Sequence, residues 1–187
     1  MFLELSITKR TDERLLARMR DHYTQPRGFV GRNICYAIDC QGVYYGHIVA
    51  GSATRHLPGR HTFLGTTPDA LNSIVNNIFY NVSHDGGGYP ARNFTTRVLR
   101  EFMDRVQKDW LVKYGDEVLG FETLVELPRT GELYRRAGFE VVGQTKGFTC
   151  KRVAGAGSDS WGGARIWDTK NLRPKSVLCR RAPGLIL

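Results

Sequence analysis

A second closely spaced cysteine pair, to match Cys35 and Cys40, is missing from this chain. Its four cysteines, Cys35, Cys40, Cys150 and Cys179, do not make the paired spacing of a zinc ribbon or finger. Cys35 and Cys40 fall in a strand-like stretch, where a buried free thiol is the ordinary state of the residue. No apolar run approaches the length of a membrane span. No secretory leader is expected, because Glu4, Lys9 and Arg10 interrupt the N-terminus. These absences point to a reducing, cytoplasmic setting away from membranes. Internal repeats are absent too, which sets aside solenoids and propellers. Acidic residues are short: 18 Asp and Glu face 27 Lys and Arg, a net charge of +9. That imbalance points to a polyanionic partner, most often nucleic acid; the alternative is a soluble protein that is merely basic. The charge is also uneven. From Lys151 to Leu187, eight Lys and Arg stand against two acids, a net +6.

What is present fits one globular domain. The 187 residues are 41% hydrophobic and 24% charged, enough for a full core. Residues 2–8 read as a strand, and Thr11 or Asp12 caps a helix running to about Arg20. Ile34–Asp39 and Val43–Ala50 read as a hairpin turning at Cys40-Gln41-Gly42. Arg55–Pro68 reads as a loop and Leu71–Val82 as a strand interrupted by Asn76, Asn77 and Asn81. His84–Pro90 is a glycine-rich turn. Asn93–Lys113 carries the strongest helical pattern: Phe94, Val98, Phe102, Val106 and Trp110 recur every four residues, widened by Leu99, Met103 and Leu111. A strand over Val118–Leu127 follows. In Gly131–Gly147 a short helix places Leu133 and Ala137 on one side, and Gly138 supplies a left-handed cap. Phe139, Val141 and Val142 then begin a strand expected to be buried. Helices between strands of one sheet require crossovers, hence an α/β (α+β) fold with a mixed, mostly antiparallel central sheet flanked by helices. Residues 1–153 are read as the domain and 154–187 as a basic C-terminal extension packing on or beside it.

Several side chains stand out against this framework. Glu122 is an acid in a strand that should be central, which is costly unless it is paired or functional. It is a candidate general base or metal ligand; the alternative is a buried salt bridge to an arginine. His22 and Tyr23 follow the first helix, and a histidine there suits base or ligand chemistry near neutral pH. His47, His56, His61 and His84 are read as surface residues of loops or strands. Asn76 and Asn77 suit the edges of adenine, or equally the backbone of a bulged strand. Arg55, Arg60, Lys146, Lys151, Arg152, Lys170, Arg173, Lys175, Arg180 and Arg181 are candidate phosphate contacts. Trp161 and Trp167 lie among that charge and either stack on bases or pack on the domain.

The helix-Gly-Phe-strand unit with Tyr134 in its helix resembles the end of the acyl-CoA N-acyltransferase (GNAT) fold. That resemblance implies a transferase in which Tyr134 protonates a departing thiolate. It implies acetyl-CoA as cofactor, its pyrophosphate against the N-terminus of the long helix, near Arg92, Asn93, Thr95 and Thr96. The glycine pattern of that turn is altered: Pro90, Asn93 and Thr95 occupy its fixed positions, and the glycines Gly86, Gly87 and Gly88 lie upstream. HYTQPRG, GSATRHLPG, LNSIVNN, PARNFTTRVL, ETLVE and LYRRAGFEVVGQTKG together resemble the phage Mom DNA-modification family. This second resemblance implies conversion of adenine in double-stranded DNA to N6-carbamoylmethyladenine, protecting phage DNA from restriction in the host cytoplasm. It also implies a bound iron, for which His22, Tyr23 and Glu122 form an oxygen-and-nitrogen donor set. A conventional GNAT N-acetyltransferase for a protein or small amine, and a non-catalytic DNA-binding protein of this fold, are the alternatives.

Overall fold

A computed structural model describes residues 2–24, 26, 28–83, 88–153 and 164–183, with backbone alone for 149–153 and 164–168. A seven-stranded sheet is its centre. In chain order the elements are β1 (Leu3–Thr8), α1 (Glu13–Asp21), β2 (Asn33–Cys40), β3 (Val43–Ser52), α2 (Arg60–Leu64), a 3-10 turn (Pro68–Ser73), β4 (Ile74–Val82), α3 (Phe94–Tyr114), β5 (Gly120–Glu126), α4 (Glu132–Arg136) and β6 (Glu140–Gln144). A two-stranded hairpin of β7 (Thr149–Val153) and β8 (Ala164–Asp168) follows, then β9 (Lys175–Arg181). The sheet order is β1-β2-β3-β4-β5-β9-β6. Every pairing is antiparallel except β4 with β5. The expected mixed, mostly antiparallel sheet flanked by helices is therefore present.

Local chemistry explains the elements. Asp12 caps α1, its carboxylate accepting from the backbone N–H of Arg14 and Leu15, a contribution of about 1 kcal/mol. The every-four pattern of α3 is its buried stripe: Phe94, Val98, Phe102, Val106 and Trp110 are all buried against the sheet. Leu111, expected to widen that stripe, is exposed. Gly138 has φ +92°, the left-handed turn that links α4 to β6. Phe139 and Ala137 are buried as expected, but Val141 is 52% exposed, because β6 is an edge strand of the sheet. The basic tail also departs from its expected place. Lys175–Arg181 sits inside the sheet between β5 and β6, with Val177, Leu178 and Cys179 fully buried. Residues 154–163 of the same segment, Trp161 included, lie outside the described residues, as do His84, Gly86 and Gly87.

Alternation along the strands sorts the core into two faces. Val75, Phe121, Val125 and Leu178 pack with α3 and Ala137. Ile74, Val177 and Cys179 pack on the opposite face with Leu57 and Leu64. The pairing of β4 with β5 covers only Ile74–Asn76 against Gly120–Glu122. Beyond Asn76 the ladder between the two strands stops, while β5 continues to pair with β9. The opening made by this parting is where the polar residues converge.

Candidate active site

A cavity of about 790 Å³ occupies the parting of β4 and β5. It is lined from both faces of the sheet: Asn77, Thr123 and Tyr134 from the α3/α4 side, His22, Phe79 and Thr54 from the other. A bulge in β4 shapes it. The register with β3 shifts between Val49 and Ala50, which leaves Ile78 without a partner between Asn77 and Phe79. Asn77 serves that bulge, its side-chain N–H₂ donating to the carbonyls of Val49 (3.4 Å) and Phe79 (3.2 Å). Its Oδ1 accepts from the Tyr134 hydroxyl at 2.8 Å. Thr123 Oγ1 donates to the Asn77 carbonyl at 3.1 Å. Asn77 thus takes the strand-supporting alternative and also fixes Tyr134.

Tyr134 is held edge-on to Phe139 (ring centroids 5.6 Å apart) and Tyr80 (6.5 Å). Burial pushes its phenol well above the usual range, opposed in part by Thr123. The group keeps its proton at neutral pH and is a donor rather than a base. Burial raises the Tyr80 phenol as well, and its hydroxyl donates to the Thr95 carbonyl at 2.8 Å.

His22 and Tyr23 do reach the cavity, at its mouth. His22 lies 4.4 Å from Tyr23 and 4.9 Å from Phe79, ring centre to centre. Its Nδ1 is 2.8 Å from Thr24 Oγ1. The Arg129 guanidinium sits 3.7 Å from the centre of the Tyr23 ring. Burial, then Arg129, lowers the His22 pKa; burial raises that of Tyr23.

Glu122 belongs elsewhere. It is fully buried, and its Oε2 accepts from Arg60 Nη1 at 2.8 Å. Its Oε1 accepts from the Thr54 N–H at 2.6 Å. Burial raises its pKa, opposed by the bonds from Arg60 and Thr54. The salt-bridge alternative describes it, and a role as base or ligand does not fit two carboxylate oxygens already engaged. Arg60, expected to meet phosphate, is the other half of this sealed pair. The structure offers no support for the iron donor set. Glu122 is occupied, the Tyr23 phenol is held protonated, and a guanidinium covers its ring. Among the described residues no three His, Cys, Asp or Glu are placed to hold a metal. Burial also pushes the neighbouring Cys179 thiol up to about 12, an inert core cysteine.

The remaining candidates divide. Asn76 Nδ2 donates to Thr54 Oγ1 at 3.0 Å, which ties β4 to the loop after β3. Asn93 caps α3 in the left-handed conformation, φ +64°, a shape glycine adopts freely and asparagine tolerates. Its side chain makes no capping bond, and the first turn of α3 has no acid. Arg92 and Asn93 are exposed, Thr95 is half-buried and Thr96 is buried. Thr95, Tyr89 and Leu133 line a smaller cavity of about 330 Å³, which shares His22, Tyr23, Tyr80 and Leu133 with the larger one. A track therefore runs from the start of α3 to Tyr134. Arg55 and Lys146 are exposed and Lys175 half-buried. Arg173 is bound to Glu126 Oε1 through Nε (2.9 Å) and Nη2 (2.6 Å). Arg180 donates to the Ala137 carbonyl and Arg181 to that of Phe63, so both are tied down. The side chains of Lys151, Arg152 and Trp167 lie outside the described set. His47, expected at the surface, is fully buried.

Sequence reasoning passed over Thr54 and Thr123, which carry no periodic signal and matter only through partners distant in the chain.

The fold has counterparts among solved structures. The chain is similar to a Bacillus subtilis acetyltransferase in complex with CoA, at 12% identity and a TM-score of 0.58, over 96% of this chain and 99% of that one. It is similar to a GNAT family acetyltransferase from Elizabethkingia anophelis with acetyl-CoA bound, at 10% identity and 0.56, over 96% and 97%. The fold is the GNAT fold. A third neighbour is the aminoglycoside acetyltransferase AAC(6')-Ib in complex with coenzyme A and kanamycin, at 13% identity and 0.54, over 96% and 95%. No family model matches the sequence, and no curated protein is significantly similar to it. Among the described residues, no helix is long and apolar enough to cross a membrane.

Proposed function

We propose that this protein is a GNAT-type transferase that modifies the exocyclic N6 of adenine in double-stranded DNA. The product, as the resemblance to Mom proteins implies, is N6-carbamoylmethyladenine, and the benefit is protection of phage DNA from restriction in the host cytoplasm. The observation that carries the transferase reading is Tyr134, protonated and fixed by Asn77 where β4 and β5 part.

The chain's own groups suit acyl-CoA. The uncapped first turn of α3, free of acids, offers backbone N–H groups to a pyrophosphate. Asn93 keeps the left-handed turn there despite the missing glycine pattern. The connected cavities then accept the rest of an extended cofactor and end at Tyr134. When bound, acyl-CoA would supply the two carbons and a thiolate leaving group; joining N6 through the methyl carbon also takes a two-electron oxidant, and the terminal amide takes an ammonia-level nitrogen donor. Tyr134 holds the proton that such a thiolate takes up. Phe79, Tyr80 and Leu133 give the cleft apolar walls that exclude water.

The DNA half of the reading is supported by the +9 charge and by the exposed Arg55 and Lys146. The N6 amine is a weak nucleophile, its lone pair delocalised into the ring, so it needs close positioning against an activated donor. The second reading is a conventional N-acetyltransferase for a small amine, favoured by the similarity in fold to AAC(6')-Ib.

Digesting co-expressed plasmid to nucleosides and measuring their masses separates the two. An adenosine species heavier by one carbamoylmethyl group is expected. Unmodified adenine beside acetylated small amines transfers the assignment to the second reading.

A further inference from the structure

A second cavity of about 780 Å³ lies beside the first and shares Thr54, Leu124 and Lys175 with it. We propose that this second cavity receives a purine extruded from duplex DNA, with Phe148 as the surface on which the base stacks. The proposal rests on the DNA-modifying reading above and adds the place where the substrate base sits.

Four observations converge. The first is position. The cofactor track reaches Tyr134 from the α3/α4 side of the sheet, and the second cavity meets the same cleft from the other side, along Leu124 and Thr54. Donor and acceptor would then approach through opposite faces of one opening, which is what a direct transfer between them requires.

The second is the character of the walls. Leu57, Pro58, Leu124 and Phe148 are apolar, and Thr54, Gln144 and Thr145 bring a few polar groups among them. Apolar walls with sparse polar groups, in a volume of several hundred Å³, are the usual make-up of a site for a flat heterocycle.

The third is Phe148 itself. It lies 46% exposed on this cavity, in the link between β6 and β7. An aromatic ring left facing solvent beside a cavity is a stacking platform for a base, because every base presents a π-face. Enzymes that act on a base inside a duplex must take it out of the helix to reach it.

The fourth is charge. Lys146, Lys175 and His56 border the cavity, and the one carboxylate among its described lining residues, Glu126, is already bridged by Arg173. Such a border attracts phosphates on either side of an extruded nucleotide. It repels a cationic small amine, the occupant that the second reading above would need. Phe148 is also followed at once by the β7–β8 hairpin, whose sequence includes Lys151, Arg152 and Arg165.

The test uses the full chain and a duplex carrying 2-aminopurine in place of one adenine, a base whose fluorescence rises when it leaves the stack. Binding is expected to raise the emission several-fold. Phe148→Ala should keep duplex affinity within about threefold and lose most of that rise. Gln144→Trp fills the cavity from β6 without touching Tyr134, and should lose the rise as well. Circular dichroism melts of both variants, expected to match the parent, exclude unfolding as the cause. A rise that survives both substitutions overturns the pocket, as does spermidine binding that Gln144→Trp abolishes while the duplex gives no rise. Nucleoside masses keep the two claims apart. Modified adenine with a rise insensitive to Phe148 and Gln144 sinks this pocket alone; unmodified adenine sinks the functional reading itself.

Discussion

On one face of β4 and β5, Asn76 and Glu122 enter a sealed cluster with Thr54 and Arg60; on the other face their chain neighbours, Asn77 and Thr123, ring Tyr134 in a cluster open to the cleft. The residue types are alike, and one step along the strand separates them. The difference is what covers each face. On the first, α2 brings Arg60 down onto the carboxylate, so every oxygen is satisfied and the cluster acts as a clamp. On the second, the parted strands admit solvent and ligand. Desolvation there keeps a phenol protonated without shutting it in. Buried polarity is therefore no marker of chemistry by itself: the engaged acid holds the loop that walls both cavities, and the tyrosine beside the gap is the group able to give up a proton.

The contrast predicts opposite failures. Tyr134→Phe removes the proton donor and one hydrogen bond, so the rate of the proposed adenine modification should fall by about 10²- to 10⁴-fold while the unfolding midpoint barely moves. Loss of stability in place of activity would erase the distinction between the clusters. Arg60→Ala leaves Glu122 buried without its cation, with the Thr54 N–H as remaining partner, and should cost about 3–5 kcal/mol in urea unfolding. A variant of parental stability would show that the clamp is not one.

A third buried polar group, away from both clusters, calibrates them. His47 is fully buried with Tyr44 Oη 2.6 Å from its Nδ1, and burial holds its pKa down to about 4. Groups facing it from α1 pull both ways: Asp12 raises the value, Arg14 and Arg18 lower it. Above the ordinary value near 6.5 the ring is neutral in both the folded and unfolded states, and its contribution is fully present. As pH falls from 6.5 toward 4 only the unfolded chain takes the proton, so stability is lost, by at most about 3 kcal/mol. Unfolding curves across that window, compared with His47→Gln, measure it. A pH slope unchanged by the substitution would remove His47 from the account.

Much of the frame could be read in advance. The every-four stripe from Phe94 to Trp110, the hairpin turning at Gln41-Gly42 and the left-handed Gly138 all state their structure locally. Tyr134 was nominated by resemblance, and the structure places it on α4 beside the parted strands. What was not legible depends on partners far along the chain. Arg60 and Glu122 are 62 positions apart, and each alone reads as a functional charge. β9 hides because Val177, Leu178 and Cys179 are a short apolar core between Lys175 and Arg180, so the segment reads as a basic tail. His47 sits in a strand whose neighbours gave no sign of which face α1 would cover.

The place of β9 has a consequence for how the chain is made. β5 and β6 each bond to β9 and not to one another. While the polypeptide is being synthesised, β5 therefore carries an unmatched edge, and β6 has no strand to join, until Lys175–Arg181 has emerged. An open edge of that kind invites pairing with other chains. β9 follows every other strand of this sheet and closes it around the cleft, so a nascent chain has its α3 and its tyrosine well before it has a site.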